Sequence, residues 1–172
     1  MKASCIIVGL AVLIAWSCSH KSAAELYSEG KEAEDHQKFD VAIEKYAEVV
    51  DRFQETSYAE SALTHSAVIY NNDLHDVAKA VICYQKIYKL FPSSKQASTA
   101  LFLSAFLLNN DLHNVDSAKV AYETFLQKYP DHELAISAKF ELENLGKDPS
   151  QFMKSEVTSS ENIPQTKKAR KP

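Results

Sequence analysis

Apolar side chains between residues 57 and 94 recur with helical spacing in two consecutive stretches. In the first stretch Leu63, Ala67 and Tyr70 lie four and three residues apart. The apolar positions of the second stretch are Val77, Ala80, Val81, Tyr84, Ile87, Tyr88 and Phe91. Spacings of three and four place these side chains on one face of a helix, and no stretch alternates as a strand would. The pattern therefore predicts two amphipathic helices joined by the segment NNDLHD.

The same pattern recurs after 38 residues. NNDLHDV at residues 71–77 is followed by NNDLHNV at residues 109–115. Three sets of residues keep this offset along the chain: Ala42, Ala80 and Ala118; Tyr46, Tyr84 and Tyr122; Phe53, Phe91 and Tyr129. A period between 20 and 50 residues is typical of stacked supersecondary units. We therefore predict an all-α solenoid of three helix-turn-helix repeats followed by a C-terminal capping helix.

The ends of the predicted helices follow from their terminal residues. NNDLH is expected to form the turn within each unit, with Asn supplying the left-handed or turn geometry and Asp76 or Asp116 near the start of the next helix. Pro92 and Pro130 should close the second helices, because proline lacks the N–H that a helix interior needs. The capping helix is expected to start near Asp131 and to end at Gly146. The predicted boundaries are residues 23–56, 57–94 and 95–130 for the repeats and 131–146 for the cap.

Small residues are expected where the two helices of a unit cross. Ala80 and Ala118 occupy equivalent positions in the second helices of their units. Packed helices lie about 8–10 Å apart, and a larger side chain at the crossing would cost roughly 1–3 kcal/mol.

These residues resemble the tetratricopeptide repeat, in which a large apolar residue, a small one and an aromatic are followed by Ala, an aromatic and a closing Pro. The second unit matches with Leu63, Ala67, Tyr70, Ala80, Tyr84 and Pro92, and the third with Leu101, Ala105, Ala118, Tyr122 and Pro130. The first unit offers Leu26, Gly30, Ala42 and Tyr46 but lacks the proline. The resemblance covers about residues 22–146, although the family period is 34 residues rather than 38.

The resemblance implies that the first helices line a concave groove for a peptide or a partner helix. The matching positions in this chain are Tyr27, Lys31 and Glu34, then Thr64, Val68 and Asn71, then Phe102, Phe106 and Asn109. The segment ALFLSAFLLNN at residues 100–110 is apolar around nearly the whole helix. Phe102 and Phe106 are therefore either buried by neighbouring helices or exposed in the groove as a partner site.

Composition supports a helical protein-binding body. Three Gly and five Pro are too few for an all-β protein or for a glycine-rich phosphate loop. The formal charge of −4 is unevenly distributed, because the body is acidic and residues 150–172 are basic. An acidic body argues against nucleic acid as a partner. The tail at residues 147–172 has little apolar content and is predicted to be disordered.

The N-terminal segment resembles an export signal. Lys2 precedes an apolar run from Ile6 to Trp16, whose length as a helix is about half of a bilayer core. The run ends at Ala15-Trp16-Ser17-Cys18, which is similar to a bacterial lipoprotein box although Ala15 replaces the usual Leu or Val. We expect residues 1–17 to be removed, Cys18 to carry the lipid, and residues 18–22 to form a linker. An ordinary secretory signal with an incidental cysteine is the alternative.

No arrangement of residues predicts catalysis. His75 and His113 occupy equivalent turns, but a metal needs three or four ligands and no further ones come at matched spacing. Cys83 lies within an apolar helical pattern and is expected to be a buried thiol. We therefore predict no metal, no cofactor, no small-molecule substrate and no enzyme activity.

The predicted role is protein binding in the cell envelope. The expected location is the periplasmic face of a Gram-negative outer membrane, reached through the lipid anchor. The chain is similar to the tetratricopeptide lipoproteins of the β-barrel assembly machinery, which implies a role in outer-membrane protein assembly, although those usually have five repeats. It is also similar to the tetratricopeptide proteins of the Tol-Pal system, which implies coordination of envelope constriction with wall synthesis. A non-catalytic accessory subunit of a cell-wall enzyme is the third alternative.

Overall fold

The computed structural model describes residues 21–147, and no strand occurs in this part of the chain. Its helices are α1 (Ala23–Asp35), α2 (Phe39–Arg52), α3 (Ser57–Asn72), α4 (Val77–Leu90), α5 (Lys95–Asn110), α6 (Val115–Lys128) and α7 (Ala135–Glu143). Helices α1 to α6 form three antiparallel pairs, and α7 stands alone after the third. Each helix packs against the next one along the chain. The prediction of an all-helical solenoid of three helix pairs with a final single helix is confirmed.

The core consists of the side chains that the repeat places inside. Ala42, Ala80 and Ala118 are all fully buried. Tyr46 and Tyr122 are also fully buried, whereas Tyr84 is only partly buried. The buried residues form two clusters, one mainly from α1 to α3 and the other mainly from α5 to α7, and α4 contributes to both.

A hydroxyl residue directly precedes the first helix of each pair. Ser22, Thr56 and Ser94 each accept a hydrogen bond from a backbone N–H in the first turn. In α1, the Glu25 side chain also accepts a hydrogen bond from the backbone N–H of Ser22, which completes a capping box. Such caps satisfy the N–H groups that a helix N-terminus leaves without partners, and each stabilises its helix by about 1 kcal/mol.

The turns correct one prediction. The left-handed backbone lies at Gln37, His75 and His113, with φ of 57°, 52° and 50°, and not at the asparagines. Asn72 and Asn110 are instead the last residues of α3 and α5. Histidine tolerates the left-handed region better than most side chains do, since it is enriched there.

Asp76 and Asp116 both lie near the start of a second helix, as predicted. Asp76 is the cap of α4 and its side chain accepts a hydrogen bond from the backbone N–H of Lys79 at 3.1 Å. Asn114, not Asp116, occupies the equivalent cap of α6, and Asp116 lies within the first turn. Helix α2 begins at Phe39, and Lys38, which precedes it, makes no side-chain capping hydrogen bond.

The capping helix is shorter than predicted. It begins at Ala135 instead of Asp131 and ends at Glu143, three residues before Gly146. The Asn144 side chain donates to the carbonyl oxygen of Phe140 at 2.8 Å and thereby competes with continuation of the helix. Gly146 has φ of 71° and donates its N–H to Asn109 Oδ1 at 3.3 Å, so it ties the end of the cap to α5.

Gly30 marks the divergent first unit. A Cβ atom placed on Gly30 would lie 2.6 Å from Cε1 of Tyr46, far inside van der Waals contact. Alanine occupies the equivalent positions 67 and 105. The tyrosine ring of the first unit therefore lies closer to its first helix than an alanine would allow.

Several predictions concern residues outside the described range. The cleaved signal at residues 1–17, the lipid on Cys18, most of the linker at residues 18–22 and the tail after Lys147 belong to this group. Among residues 21–147, no helix combines the length and apolar character that crossing a membrane requires. Cys83 is buried, as predicted, and burial raises the pKa of its thiol to about 11.

Candidate functional site

The candidate site is the face formed by the outward side chains of the first helices, called the groove face below. Its nine predicted residues are Tyr27, Lys31 and Glu34 on α1, Thr64, Val68 and Asn71 on α3, and Phe102, Phe106 and Asn109 on α5. Side-chain contacts join these helices. Thr64 Oγ1 donates to Gln96 Oε1 at 2.9 Å between α3 and α5, and a His65–Glu34 contact joins α3 to α1. The three first helices that carry the nine positions are therefore in contact with one another.

The N-terminal part of the groove face is a polar cluster around Glu34. Tyr46 Oη donates to Glu34 Oε2 at 2.6 Å. His65 Nδ1 lies 3.0 Å from the same oxygen, and Lys31 Nζ lies 3.4 Å from it. One carboxylate thus holds together residues from α1, α2 and α3.

The pKa values in this cluster follow from these contacts. Burial alone would raise the pKa of Glu34, but the hydrogen bonds from Tyr46 and His65 hold it below its ordinary value. Burial and the neighbouring carboxylate raise the pKa of Tyr46. The cluster is therefore built around an ionised Glu34, and acidification would remove its central acceptor.

Aromatic rings surround this carboxylate. The Tyr27 ring centroid lies 5.7 Å from that of Tyr46 and 5.6 Å from that of Tyr58. His65 stacks on Tyr46 with 5.6 Å between centroids. These separations suit favourable edge-to-face and offset contacts. The rings fix the imidazole and the phenol against Glu34, so this end of the groove face is preorganised.

The C-terminal part of the groove face is aromatic, and the structure separates its two phenylalanines. Phe102 is only 9% exposed and contacts the rings of Tyr122 and Phe125, each at 5.8 Å. Phe106 is 37% exposed and stacks on Phe102 with 6.5 Å between centroids. Phe102 is thus part of the core, whereas Phe106 contributes to the surface.

The remaining predicted positions differ in exposure. Val68 is 40% exposed and lies on α3 at the position equivalent to Phe106. Asn109 is nearly buried, and its Oδ1 accepts the Gly146 N–H. Thr64 and Asn71 are partly exposed. The exposed apolar part of the groove face therefore consists of Val68 and Phe106.

Sequence reasoning missed His65 and Tyr58 as members of the site. Tyr58 lies in the first turn of α3, and His65 follows the predicted Thr64. Both contact residues of the preceding unit: Tyr58 contacts Tyr27, and His65 contacts Glu34. The stacking of the units could have predicted them. It places the first helix of one unit against the groove positions of the unit before it.

The turn histidines are not part of this face. His75 and His113 are both exposed in their turns. Within residues 21–147, no group of three or more His, Cys, Asp or Glu side chains is arranged to hold a metal ion. The nearby acidic caps, such as Asp76, are engaged with backbone N–H groups and with Lys79.

Comparison with known proteins supports the repeat. A family model described as Tetratricopeptide repeat matches residues 99–132, which include α6 and most of α5. No curated protein matches the chain. Tetratricopeptide repeats generally serve as non-catalytic scaffolds for protein–protein interaction, and the matched segment contains Phe102, Phe106 and Asn109 of the groove face.

Proposed function

We propose that this chain is a lipid-anchored scaffold of the cell envelope that binds a segment of a partner protein on its groove face. The matched repeat supports the interaction role. The proposal places the protein at the periplasmic face of the outer membrane, where its partner belongs to outer-membrane protein assembly. This location and process are supported by the sequence of the N-terminal segment and by the resemblance described above.

The observation that carries the binding role is the exposed apolar surface of adjacent first helices. Val68 and Phe106, one repeat apart, are 40% and 37% exposed. The polar cluster around Glu34 continues the same face on α1. An apolar patch bordered by charged groups is typical of a protein interaction site, because the apolar part supplies affinity and the charges supply orientation.

Crosslinking in intact cells tests the site. We expect a photoreactive amino acid at Phe106 to capture a distinct envelope protein, because this side chain faces the bound segment. Val120 provides a matched control, since it is 62% exposed but lies on α6, a second helix. The captured proteins would be identified by mass spectrometry.

The outcome also separates the candidate processes. Capture of assembly-machinery or nascent outer-membrane proteins at position 106 alone would support the proposal. Capture of division or wall-synthesis proteins would instead favour the Tol-Pal-like alternative. Equal capture at positions 106 and 120 would contradict the groove face as the binding site.

Palmitate incorporation tests the anchor separately. In cells expressing the chain, radiolabelled palmitate is expected to label the protein, and Cys18→Ala is expected to abolish the label and release the protein from membranes. The reason is that several acyl chains contribute about 0.8 kcal/mol per buried CH₂, which holds a protein on a bilayer without a spanning helix. Cys83→Ala is the matched control. Label that survives Cys18→Ala would refute the anchor.

A further inference from the structure

The third unit contains a counterpart of the polar cluster around Glu34. In the first cluster, Tyr46 comes from the second helix, Glu34 from its own first helix and His65 from the next first helix. The equivalent positions in the third unit are Tyr122 on α6, Asn109 on α5 and Glu141 on α7. The placement on α7 follows from its buried residues Ala135 and Ala138, which lie 38 residues after the buried Ala97 and Ala100.

The two clusters differ in the hydrogen bonds that their polar groups make. Tyr46 donates its hydroxyl proton to Glu34, but Tyr122 Oη is fully buried and has no hydrogen-bond partner among the described residues. The Asn109 side-chain oxygen is occupied by the Gly146 N–H. A buried hydroxyl without a partner costs about 1–3 kcal/mol, which makes it unusual in a packed core.

The carboxylate of the third cluster also lacks a cation. Lys31 and His65 lie 3.4 Å and 3.0 Å from Glu34. No Lys, Arg or His of residues 21–147 forms a salt bridge with Glu141. Burial raises the pKa of Glu141, and a hydrogen bond from Asn110 only partly offsets this. The negative charge of Glu141 is thus partly desolvated and uncompensated.

This carboxylate borders the exposed aromatic surface. Phe106 and Asn110 lie one turn apart on α5, and Asn110 Nδ2 donates to the carbonyl oxygen of Phe106 at 3.1 Å. Asn110 also contacts Glu141, and Phe106 stacks on Phe102, which in turn covers Tyr122. Near Phe106 the structure therefore brings together an exposed ring, a carboxylate without an ion pair among residues 21–147, and a buried phenol without a hydrogen-bond partner in the same range.

We propose that this end of the groove face binds an arginine side chain of the partner segment, whose guanidinium pairs with Glu141 and whose stem lies along Phe106. Arginine fits better than lysine because its planar guanidinium presents five N–H donors and also stacks on aromatic rings. The partner's cation would complete the third cluster as Lys31 and His65 complete the first. The acidic body would attract such a basic segment. This inference rests on the proposed function, since it assigns the chemistry of the segment that the groove face holds.

The binding test uses an end-blocked tetra-arginine peptide and the intact purified chain. Titration calorimetry at low salt is expected to show binding, while the matching tetra-citrulline peptide, which is neutral but nearly the same shape, should not bind. Glu141→Gln should weaken tetra-arginine binding about fivefold, as expected for loss of one partly buried charge pair. Glu143→Gln, an exposed carboxylate on the same helix, should leave binding unchanged.

A second measurement separates binding from a structural role. Because burial disfavours the charged form of Glu141, Glu141→Gln should keep or raise the thermal midpoint at pH 7 while it weakens binding. A lower midpoint together with unchanged binding would overturn the proposal.

Other outcomes are equally decisive. Equal binding of the citrulline peptide would overturn the proposal. So would equal effects of Glu141→Gln and Glu143→Gln on tetra-arginine binding. Binding that appears only after Lys167, Lys168, Arg170 and Lys171 are neutralised would assign the site to the chain's own tail instead of a partner.

If tetra-arginine fails to bind while crosslinking at Phe106 still captures a partner, only this inference fails. If crosslinking fails as well, the proposed function fails with it.

Discussion

Replacement of Phe102 by alanine is expected to lower the free energy of unfolding by about 3–5 kcal/mol. The Phe102 ring is 9% exposed and packs against Tyr122 and Phe125, so its removal leaves a cavity between α5 and α6. The shift in the urea midpoint at constant slope measures this loss.

Phe106→Ala is the matched variant, one turn along the same helix. Since Phe106 is 37% exposed, its removal is expected to cost less than about 1 kcal/mol of stability. With the photoreactive amino acid placed at Val68, Phe106→Ala should nevertheless abolish partner capture in intact cells, which Phe102→Ala would impair only through unfolding. Equal destabilisation by the two substitutions would contradict the division of this pair into core and surface.

The second prediction concerns two tyrosines that differ in their hydroxyl partners. Tyr46→Phe is expected to cost about 1–2 kcal/mol, because it removes a 2.6 Å hydrogen bond to an ionised carboxylate. Tyr122→Phe is expected to raise stability by about 1 kcal/mol, because it removes a buried hydroxyl without a partner in the described chain. Each substitution removes one oxygen and leaves the ring in place, so packing is matched. Urea unfolding at pH 7 measures both.

The pH dependence checks the cause of the Tyr46 effect. The pKa of Glu34 lies below its ordinary value of 4.5 in the folded chain. The stability from this group is therefore complete above that value and is lost as the pH falls through the lower folded pKa. The difference between the chain and its Tyr46→Phe variant should consequently shrink as the pH falls below 4.5. A difference that is the same at low and neutral pH would show that packing, not the hydrogen bond, causes the effect.

The sequence predicted the fold well because the fold is repeated. Three sets of residues with one offset, such as Ala42, Ala80 and Ala118, fix the helix pairs and their crossings, and these alanines are all fully buried. Periodicity averages over local irregularities, so it predicted the three helix pairs, whereas the capping helix begins four residues later than expected. The conformation of the turns was harder to predict. The residue that adopts the left-handed backbone depends on how the two helices pack against each other. His75, rather than Asn71 or Asn72, bears it.

The candidate site was predicted in outline only. Periodicity shows which positions face outward, but it does not show that Phe102 is covered by α6 while Phe106 is not. The contact between Glu34 and His65 joins two units, and a motif within one unit contains no signal for it. The unsatisfied Tyr122 likewise becomes visible only when its neighbours are placed in three dimensions.

The close approach of Gly30 to Tyr46 limits how far the units can be treated as interchangeable modules. A consensus alanine at position 30 would intrude on the ring at 2.6 Å and push the phenol away from Glu34. Longer synthetic arrays built from this chain should therefore duplicate the second unit, which already has Ala67, and retain the first only as the leading module. A single missing methyl group at position 30 thus sets the packing of the leading unit apart from that of the later ones.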